Sequence, residues 1–214
     1  MVVLDAGANE GFYTVFMARR VGTQGRVIAV EPSPRERARL MRNVEINGFR
    51  NVDVRSTGLG AAPGEAVLHI ANAEHNGQNT LGRFVYEGVS EEMRLQIALE
   101  SIDVISQRMG DKRIDVIKMD VEGSELSVLQ GATRVLERDQ PLILFEVLDK
   151  ALRAQGASAE QLIAFLQTRG FVVLRFGTDG ALYPFSGLAE ASSNLVAAPP
   201  ARAAELSAAS LASR

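Results

Sequence analysis

A glycine-rich turn and a distant acid are the residues whose types and spacing first suggest a binding site. Gly7 and Gly11 lie in residues 5–11 (DAGANEG), between an apolar run and a segment of helical pattern. Glycines in such a turn let a ligand approach the main chain, and free N–H groups at a helix start attract polar groups. Glu31 ends the next apolar run, where a carboxylate can accept hydrogen bonds from both hydroxyls of a ribose. These residues predict a nucleoside-containing ligand; the alternative is a tight turn beside an ordinary surface acid.

The spacing of the turn discriminates between two such ligands. A dinucleotide fingerprint has glycines at relative positions 0, 2 and 5, whereas Asn9 occupies the second of these places here. Asp5 lies just before the turn, where it would repel a phosphate but suit an ammonium or sulfonium group. The cofactor expected from this pattern is S-adenosylmethionine, with a nicotinamide-dependent oxidoreductase as the disfavoured alternative.

The composition excludes several classes of protein. The 214 residues, 46% of them hydrophobic and 23% charged, suffice for one globular domain. A net charge of −3 gives no overall field that attracts a polyanion, so we expect no nucleic-acid partner. The absence of cysteine excludes a disulfide framework, a thiolate metal site and a cysteine nucleophile. We expect a cytoplasmic protein, because the first residues do not resemble a signal peptide and no stretch approaches the ~20 apolar residues that span a membrane.

The elements that must position the turn and the acid alternate between short apolar runs and helical patterns, which is typical of a parallel sheet flanked by helices. Predicted strands cover residues 2–6, 26–30, 52–55, 114–120, 142–147 and 171–176. Predicted helices cover residues 34–47, about 125–137 and about 158–170. Glycines interrupt residues 57–101, which we expect to form a functional loop or an edge hairpin. The Ala/Ser-rich residues 199–214 are predicted to form a terminal helix or a frayed tail.

Four segments resemble the FkbM-type methyltransferases, a branch of the class I S-adenosylmethionine-dependent enzymes. They are residues 3–14 (VLDAGANEGFYT), 27–34 (VIAVEPSP), 43–48 (NVEING) and 117–125 (IKMDVEGSE), of which the last is the most specific. The resemblance implies an α/β, Rossmann-like fold with a mostly parallel seven-stranded sheet in the order 3-2-1-4-5-7-6, helices on both faces and an antiparallel last strand near residues 193–198. It also implies O-methylation of a hydroxyl on a small molecule or glycan.

The resemblance runs from residue 2 to about 198, so we expect a methyltransferase domain over residues 1–198. Family members usually carry helices before the first strand that help to close the cofactor pocket, whereas this chain begins inside that strand. A fragment is one interpretation of this difference, and a non-catalytic cofactor-binding subunit is a further alternative. The expected cofactor-binding residues are Asp5, Gly7, Ala8, Asn9, Gly11, Glu31, Pro32 and Asp120.

Three acids at strand ends are candidates for the base that removes the proton of the acceptor hydroxyl. Asp120 ends the fourth predicted strand, Glu122 lies two residues further on, and Glu146 ends the fifth. Open α/β sheets bind ligands at the carboxyl ends of their strands, so the three acids should share one rim. Asp120 could instead hold the ammonium of the cofactor, which would leave Glu122 or Glu146 as the base. Otherwise Glu122 complements the dipole of the helix that follows, and Glu146 is a structural acid.

A lysine and a histidine complete the set of candidate catalytic residues. Lys118 lies inside a predicted buried strand, where it is expected either to pair with Glu122 or Glu146 or to reach solvent at the sheet edge. His75, in a polar glycine-containing loop, is the alternative base because its unperturbed pKa near 6.5 suits proton abstraction. His69 is expected to face outward and has no assigned role.

Two further alternatives are disfavoured. Asp120, Glu146 and Asp149 could supply oxygen ligands for magnesium, but their spacing is not diagnostic, and we expect no metal. Arginines in the segment of residues 35–42 could suggest RNA, but the acids interleaved with them favour a solvated helix face.

Overall fold

An eight-stranded sheet and a separate three-stranded sheet organise the chain in the computed structural model, which describes residues 1–75, 77–187 and 192–212. The strands in chain order are β1 (Val2–Ala6), β2 (Arg26–Val30), β3 (Val52–Arg55), β4 (Gly58–Leu59), β5 (Gly64–Ala71), β6 (Glu91–Glu100), β7 (Val116–Met119), β8 (Leu142–Leu148), β9 (Val172–Phe176), β10 (Leu182–Pro184) and β11 (Ser192–Ala198). The helices are α1 (Phe12–Val21), α2 (Pro34–Ile46), α3 (Ile102–Arg108), α4 (Glu125–Gln130), α5 (Thr133–Asp139), α6 (Asp149–Ala154), α7 (Ala159–Gln167) and α8 (Pro200–Ala212).

The large sheet has the strand order β10-β9-β11-β8-β7-β1-β2-β3. Strands β1, β2, β3, β7 and β8 pair in parallel, and β11 is antiparallel to both of its neighbours. The mostly parallel Rossmann-like sheet predicted from the sequence is therefore confirmed. The predicted count of seven strands was wrong by one, because the short strand β10 adds an antiparallel edge beside β9.

Helices cover both faces of the large sheet because neighbouring residues of its parallel strands are apolar on both sides. Leu4 and Ile28 pack on one face with residues of α4, α5 and α7, including Leu129. Val3 and Val27 point the other way and pack against Ala18 of α1. The carboxyl ends of β1, β2 and β7 thus meet at one edge between the two helical layers, which is where the predicted site residues lie.

One sequence-based boundary needed correction. The helix expected over residues 125–137 is broken into α4 and α5 at Gly131, which approaches the neighbouring main chain so closely that an added Cβ would lie 2.2 Å from the carbonyl oxygen of Gly60. Of the two structures expected for the C-terminal segment, residues 200–212 form the helix, α8, and Ala203 is buried in the cluster that this helix forms with β9 and β11. Residues 213–214 of the predicted tail lie outside the described residues.

The expected excursion contains a hairpin with its own small core. Strands β5 and β6 pair antiparallel, β4 joins the other edge of β6, and Leu68, Ile70 and Ile97 pack together between them. A short 3-10 turn at Ala73–His75 follows β5. Of the two structures expected for this segment, the hairpin is the one present, and Thr80 of the same segment contacts the turn after β7.

Candidate active site

The turn after β1 brings the main chain close to the end of β7. Gly7 has φ +71°, and a Cβ at this position would lie 1.8 Å from the carbonyl oxygen of Asp120. Gly11 has φ +88° at the start of α1, and its added Cβ would lie 2.5 Å from Cδ1 of Leu40. Both glycines are therefore required by a left-handed conformation and by a close approach.

Glu31 is fixed at the end of β2 by two main-chain donors. The amide of Asn9 donates to Oε2 at 2.9 Å, and the amide of Ser33 donates to Oε1 at 2.8 Å. The side chain is almost fully buried, and burial raises the pKa of Glu31 to about 7, although both amide hydrogen bonds oppose the shift. Each carboxylate oxygen can accept a further hydrogen bond, so the acid is held in place without being saturated.

A cavity of about 370 Å³, here named the cofactor cavity, lies over this turn. Its size falls within the range of small-molecule sites. Most residues predicted to bind the cofactor line its wall, whereas Asp5 and Gly11 do not. The predicted residues in the lining are Gly7, Ala8, Asn9, Glu31, Pro32, Lys118, Asp120 and Glu122. Sequence reasoning missed Tyr13, beside the turn, and the lining residues from the excursion, which include Leu59, Leu68, Asn79 and Leu81.

Asp5 and Lys118 form a buried pair beneath the cavity. Asp5 is fully buried, accepts a hydrogen bond from the Thr14 hydroxyl at 2.6 Å, and has Oδ1 3.6 Å from Nζ of Lys118. Burial raises the pKa of Asp5, and the charge of Lys118 opposes the shift. Lys118 also donates to the carbonyl of Gly7 at 3.1 Å and lies 3.8 Å from Oδ2 of Asp120. The expected pairing of Lys118 with Glu122 or Glu146, and its alternative of reaching the sheet edge, were therefore wrong.

The reason for this pairing is sheet register. Asp5 and Lys118 are direct neighbours on the parallel strands β1 and β7. The predicted strand order already placed these strands side by side, but the register that aligns the two residues is set by packing and was not predicted. Asp5 therefore already has a cation as its partner, which differs from the expectation that it faces the cofactor.

The turn after β7 contains a second left-handed pair, Glu122 with φ +50° and Gly123 with φ +102°. The buried carboxylate of Glu125 accepts hydrogen bonds from the amides of Val121 at 3.1 Å and Gly123 at 3.3 Å. Burial raises the pKa of Glu125 to about 7. Glu125 therefore stabilises the turn, and the Glu122 carboxylate takes no part in these hydrogen bonds.

Glu122 lines the cofactor cavity in an acidic environment. Burial and the charges of Asp120 and Glu146 raise the pKa of Glu122 to about 8, opposed by a hydrogen bond from the hydroxyl of Tyr86 at 3.2 Å. A base with a pKa near the working pH is well matched to proton transfer. Sequence reasoning missed Tyr86 because no local motif marks it.

Asp120 and Glu146 meet at a second, smaller cavity of about 160 Å³. Tyr13, Lys118 and Asp120 line both cavities, so the two spaces adjoin along these residues. Glu146 on β8 pairs across the antiparallel ladder with Asn194 of β11, and both residues line the smaller cavity. The three acids expected at one rim are thus brought to two adjoining cavities.

The two histidines lie away from the cofactor cavity. His75, in the 3-10 turn, has Nδ1 3.1 Å from Oδ1 of Asn72 and is not among the residues lining the cavity. His69 lies on β5 with Nδ1 2.5 Å from Oε2 of Glu91. The geometry therefore favours the acids over His75 as proton acceptors.

The expectations about metal and RNA can be compared with the contacts. Within the described residues, no cluster of three or more His, Cys, Asp or Glu side chains is arranged to hold a metal. Asp149 accepts hydrogen bonds from Arg153 at 2.6 Å and from the amide of Ala159 at 2.8 Å. On α2, Arg35 pairs with Glu36 and Glu92. In the described part of the chain, no helix has the length and apolar character that crossing a membrane requires.

Hydrogen-bond acceptors in the cavity wall fit the donor groups of S-adenosylmethionine. Oδ1 of Asn9 is buried without a hydrogen-bond partner among the described residues, and Glu31 keeps unused acceptor capacity nearby. The hydroxyl and amino groups of the cofactor are donors. Gly7 and Ala8 also line the cavity, so the turn lies within reach of a ligand there.

The strand order and the cavity at the carboxyl ends of the central strands are those of the class I methyltransferase fold. The chain belongs to the Methyltransferase FkbM domain family, whose model matches residues 5–173. It is therefore a methyltransferase domain of this type, and the predicted family is confirmed.

Individual relatives agree with this assignment. The chain is 26% identical over 188 residues to Methyltransferase 1 of Beauveria bassiana (strain ARSEF 2860), covering 80% of this chain and 72% of that protein. It is 30% identical over 202 residues to the AMB antimetabolite synthetase AmbE of Pseudomonas aeruginosa, covering 80% of this chain but 10% of that protein. The crystal structure of Methyltransferase FkbM from Methylobacillus flagellatus KT has the same fold, with a TM-score of 0.55 and 20% identity over 92% of this chain and 42% of that one.

Proposed function

We propose that this chain binds S-adenosylmethionine in the cofactor cavity and transfers its methyl group to a hydroxyl of a small molecule or glycan. The anchoring of Glu31 carries the proposal. Its carboxylate is held by the amides of Asn9 and Ser33 at the cavity wall, with capacity to accept both hydroxyls of a ribose. The zero cysteine count is consistent with a cytoplasmic location, which is part of the proposal.

The remaining lining residues suit the other parts of the cofactor. Pro32, Leu59 and Leu81 offer apolar surface for a purine base. Asp120 lines both cavities, and its Oδ2 lies 3.8 Å from Nζ of Lys118. Its carboxylate is proposed to face the ammonium group of the cofactor. Asp5 supports this region from beneath through Lys118.

Bound S-adenosylmethionine supplies a methyl group on a positively charged sulfur. The residues of this chain must align the acceptor oxygen and remove its proton. Alignment contributes roughly 7–11 kcal/mol and a general base about 3–5 kcal/mol, so positioning is the larger effect. We assign the base to Glu122, because it lines the cavity and its pKa of about 8 is matched to neutral pH. Glu146, in the adjoining cavity, is proposed to bind the acceptor.

Calorimetry with S-adenosylhomocysteine and with NAD tests the proposal. We expect S-adenosylhomocysteine to bind and NAD not to bind. Glu31→Gln should weaken S-adenosylhomocysteine binding by about 10- to 150-fold, because hydrogen bonds to a charged acceptor are worth about 1.5–3 kcal/mol. Glu45→Gln, on the exposed face of α2, is the matched control and should bind normally. Tight binding of NAD alone, or equal affinity in Glu31→Gln and the wild type, would contradict the proposal.

A further inference from the structure

Tyr86 connects the hairpin excursion to the proposed base. It lies in the segment between β5 and β6, and its hydroxyl donates to Oε2 of Glu122 at 3.2 Å. Tyr86 is half-buried and is not among the residues lining the cofactor cavity, whereas Glu122 is. The contact therefore supports Glu122 from behind the cavity wall.

The main chain of Glu122 is fixed by separate contacts. Its carbonyl accepts hydrogen bonds from the Thr80 hydroxyl at 2.9 Å and from Nε2 of Gln155 at 2.8 Å. The glycine that follows packs so closely that an added Cβ would lie 2.5 Å from the carbonyl oxygen of Ala151. These contacts determine where the side chain starts, but a glutamate has three rotatable bonds beyond that point. Among the residues that the structure describes, the Tyr86 hydroxyl is the hydrogen-bond donor that reaches the Glu122 carboxylate.

Electrostatics determines the direction of this hydrogen bond. Burial and the charges of Glu122, Glu146 and Asp120 raise the pKa of Tyr86, so the phenol keeps its proton and donates. The groups that act on Glu122 are the acids Asp120, Glu146 and Glu125, which disfavour its charged form, and Tyr86, which favours it.

We propose that Tyr86 is a positioning residue that directs the Glu122 carboxylate toward the acceptor hydroxyl and stabilises its charged form. The inference rests on the proposed function, in which Glu122 is the base. It assigns part of the catalytic apparatus to the excursion, which the sequence motifs do not include.

The test uses Tyr86→Phe, which removes the hydroxyl and keeps the ring. In protein labelled with 13C-glutamate, the NMR titration of Glu122 is assigned by its loss in Glu122→Gln. We expect the titration midpoint of Glu122 to rise by about one pH unit in Tyr86→Phe, equivalent to the loss of about 1.4 kcal/mol of stabilisation. The rising limb of the pH profile of methyl transfer should shift by the same amount, and kcat at pH 7 should fall about tenfold.

A second variant covers the case in which Tyr86→Phe does not fold. Incorporation of 2,3-difluorotyrosine at position 86 gives a stronger donor of nearly the same shape and should lower the midpoint of Glu122. Tyr183→Phe is the control, because that hydroxyl donates at 2.9 Å to Asp179 beside the edge strand β10, and the Glu122 midpoint should not change. Unchanged titration of Glu122 in both Tyr86 variants would overturn the inference. Failure of the proposed function would appear separately, as absent S-adenosylhomocysteine binding by the wild type.

Discussion

The turns after β1 and after β7 are built alike but held differently. Each places a non-glycine residue in the left-handed region, Asn9 and Glu122, both with φ +50°. The amide of Asn9 is held by Glu31, at the end of the adjacent strand β2. The carbonyl and carboxylate of Glu122 are held by Thr80 and Tyr86, which belong to the excursion.

The two turns therefore receive their contacts from different parts of the chain. The first turn is held from the sheet and from α2, where Asn43 donates to the carbonyl of Glu10. The second turn is also held by two hydroxyls of the excursion. Under the proposed function, removing the Thr80 and Tyr86 hydroxyls should alter the chemistry more than cofactor binding, whereas Leu59 and Leu81 of the same excursion line the cofactor cavity.

The largest expected effect separates the two turns directly. Glu122→Gln should lower kcat by about 10²- to 10⁴-fold, the typical contribution of a general base, with S-adenosylhomocysteine affinity within about twofold of the wild type. The matched variant Asp120→Asn should lower kcat less, because Asp120 is assigned to cofactor binding. Single-turnover rates and calorimetry check both variants. If Asp120→Asn lost turnover while Glu122→Gln kept it, the assignment of the base would be reversed.

Gly7→Ala tests the close approach at the first turn. We expect it to lower the free energy of unfolding by at least about 3 kcal/mol, because the new Cβ would clash with the Asp120 carbonyl in addition to the cost of a left-handed alanine. Gly48→Ala is a matched control, since Gly48 has φ +68° with open space around it, and should cost about 1 kcal/mol. Urea denaturation measures both. Equal losses would show that only backbone conformation matters at Gly7.

Each turn donates main-chain hydrogen bonds to a buried acid whose pKa is raised to about 7, Glu31 for the first turn and Glu125 for the second. The unfolded chain ionises these groups near pH 4.5, so their contribution to stability is complete below that pH and is lost as the pH rises through about 7. We expect the free energy of unfolding to fall between pH 5 and pH 8, by on the order of 1 kcal/mol per pH unit and group. Affinity for S-adenosylhomocysteine should rise over the same range, because ionised Glu31 is the better acceptor.

Denaturation and calorimetry at several pH values test whether the free energy of unfolding falls while the affinity for S-adenosylhomocysteine rises. Glu31→Gln and Glu125→Gln should each flatten the pH dependence of stability, but only Glu31→Gln should weaken S-adenosylhomocysteine binding. Stability that increases steadily from pH 5 to pH 8 would contradict the expected ionisation of these acids.

The smallest expected effect concerns the contact between the hairpin and the second turn. Thr80 is buried, and Thr80→Val removes the hydrogen bond to the Glu122 carbonyl together with those that the hydroxyl accepts from the Gly82 amide and from Gln155. We expect a loss of about 1–2 kcal/mol in the free energy of unfolding and a lower kcat with unchanged S-adenosylhomocysteine affinity. Thr133→Val, which removes an exposed hydrogen bond to the Gln130 carbonyl, should cost less than about 0.5 kcal/mol. Loss of S-adenosylhomocysteine binding in Thr80→Val would instead show that the hairpin supports both turns.

Local sequence signals predicted much of the fold and several of the residues that line the cofactor cavity. Two helix starts were predicted correctly from local signals: Pro34 is the first residue of α2, and the Ser158 hydroxyl before α7 accepts a hydrogen bond from the amide of Gln161. Gly7 and Glu31 were found in the same way. The break at Gly131 was not found, because it arises from contact with the distant Gly60.

The mostly parallel α/β fold, the family and the left-handed turn after β1 could all be predicted from the amino-acid sequence, since apolar periodicity and glycine spacing act over a few residues. The contacts of Lys118 with Asp5 and of Tyr86 with Glu122 became visible only in the folded chain. These pairs are 113 and 36 residues apart in the chain. Whether they meet depends on strand register and on how the hairpin packs, which are properties of the whole folded chain.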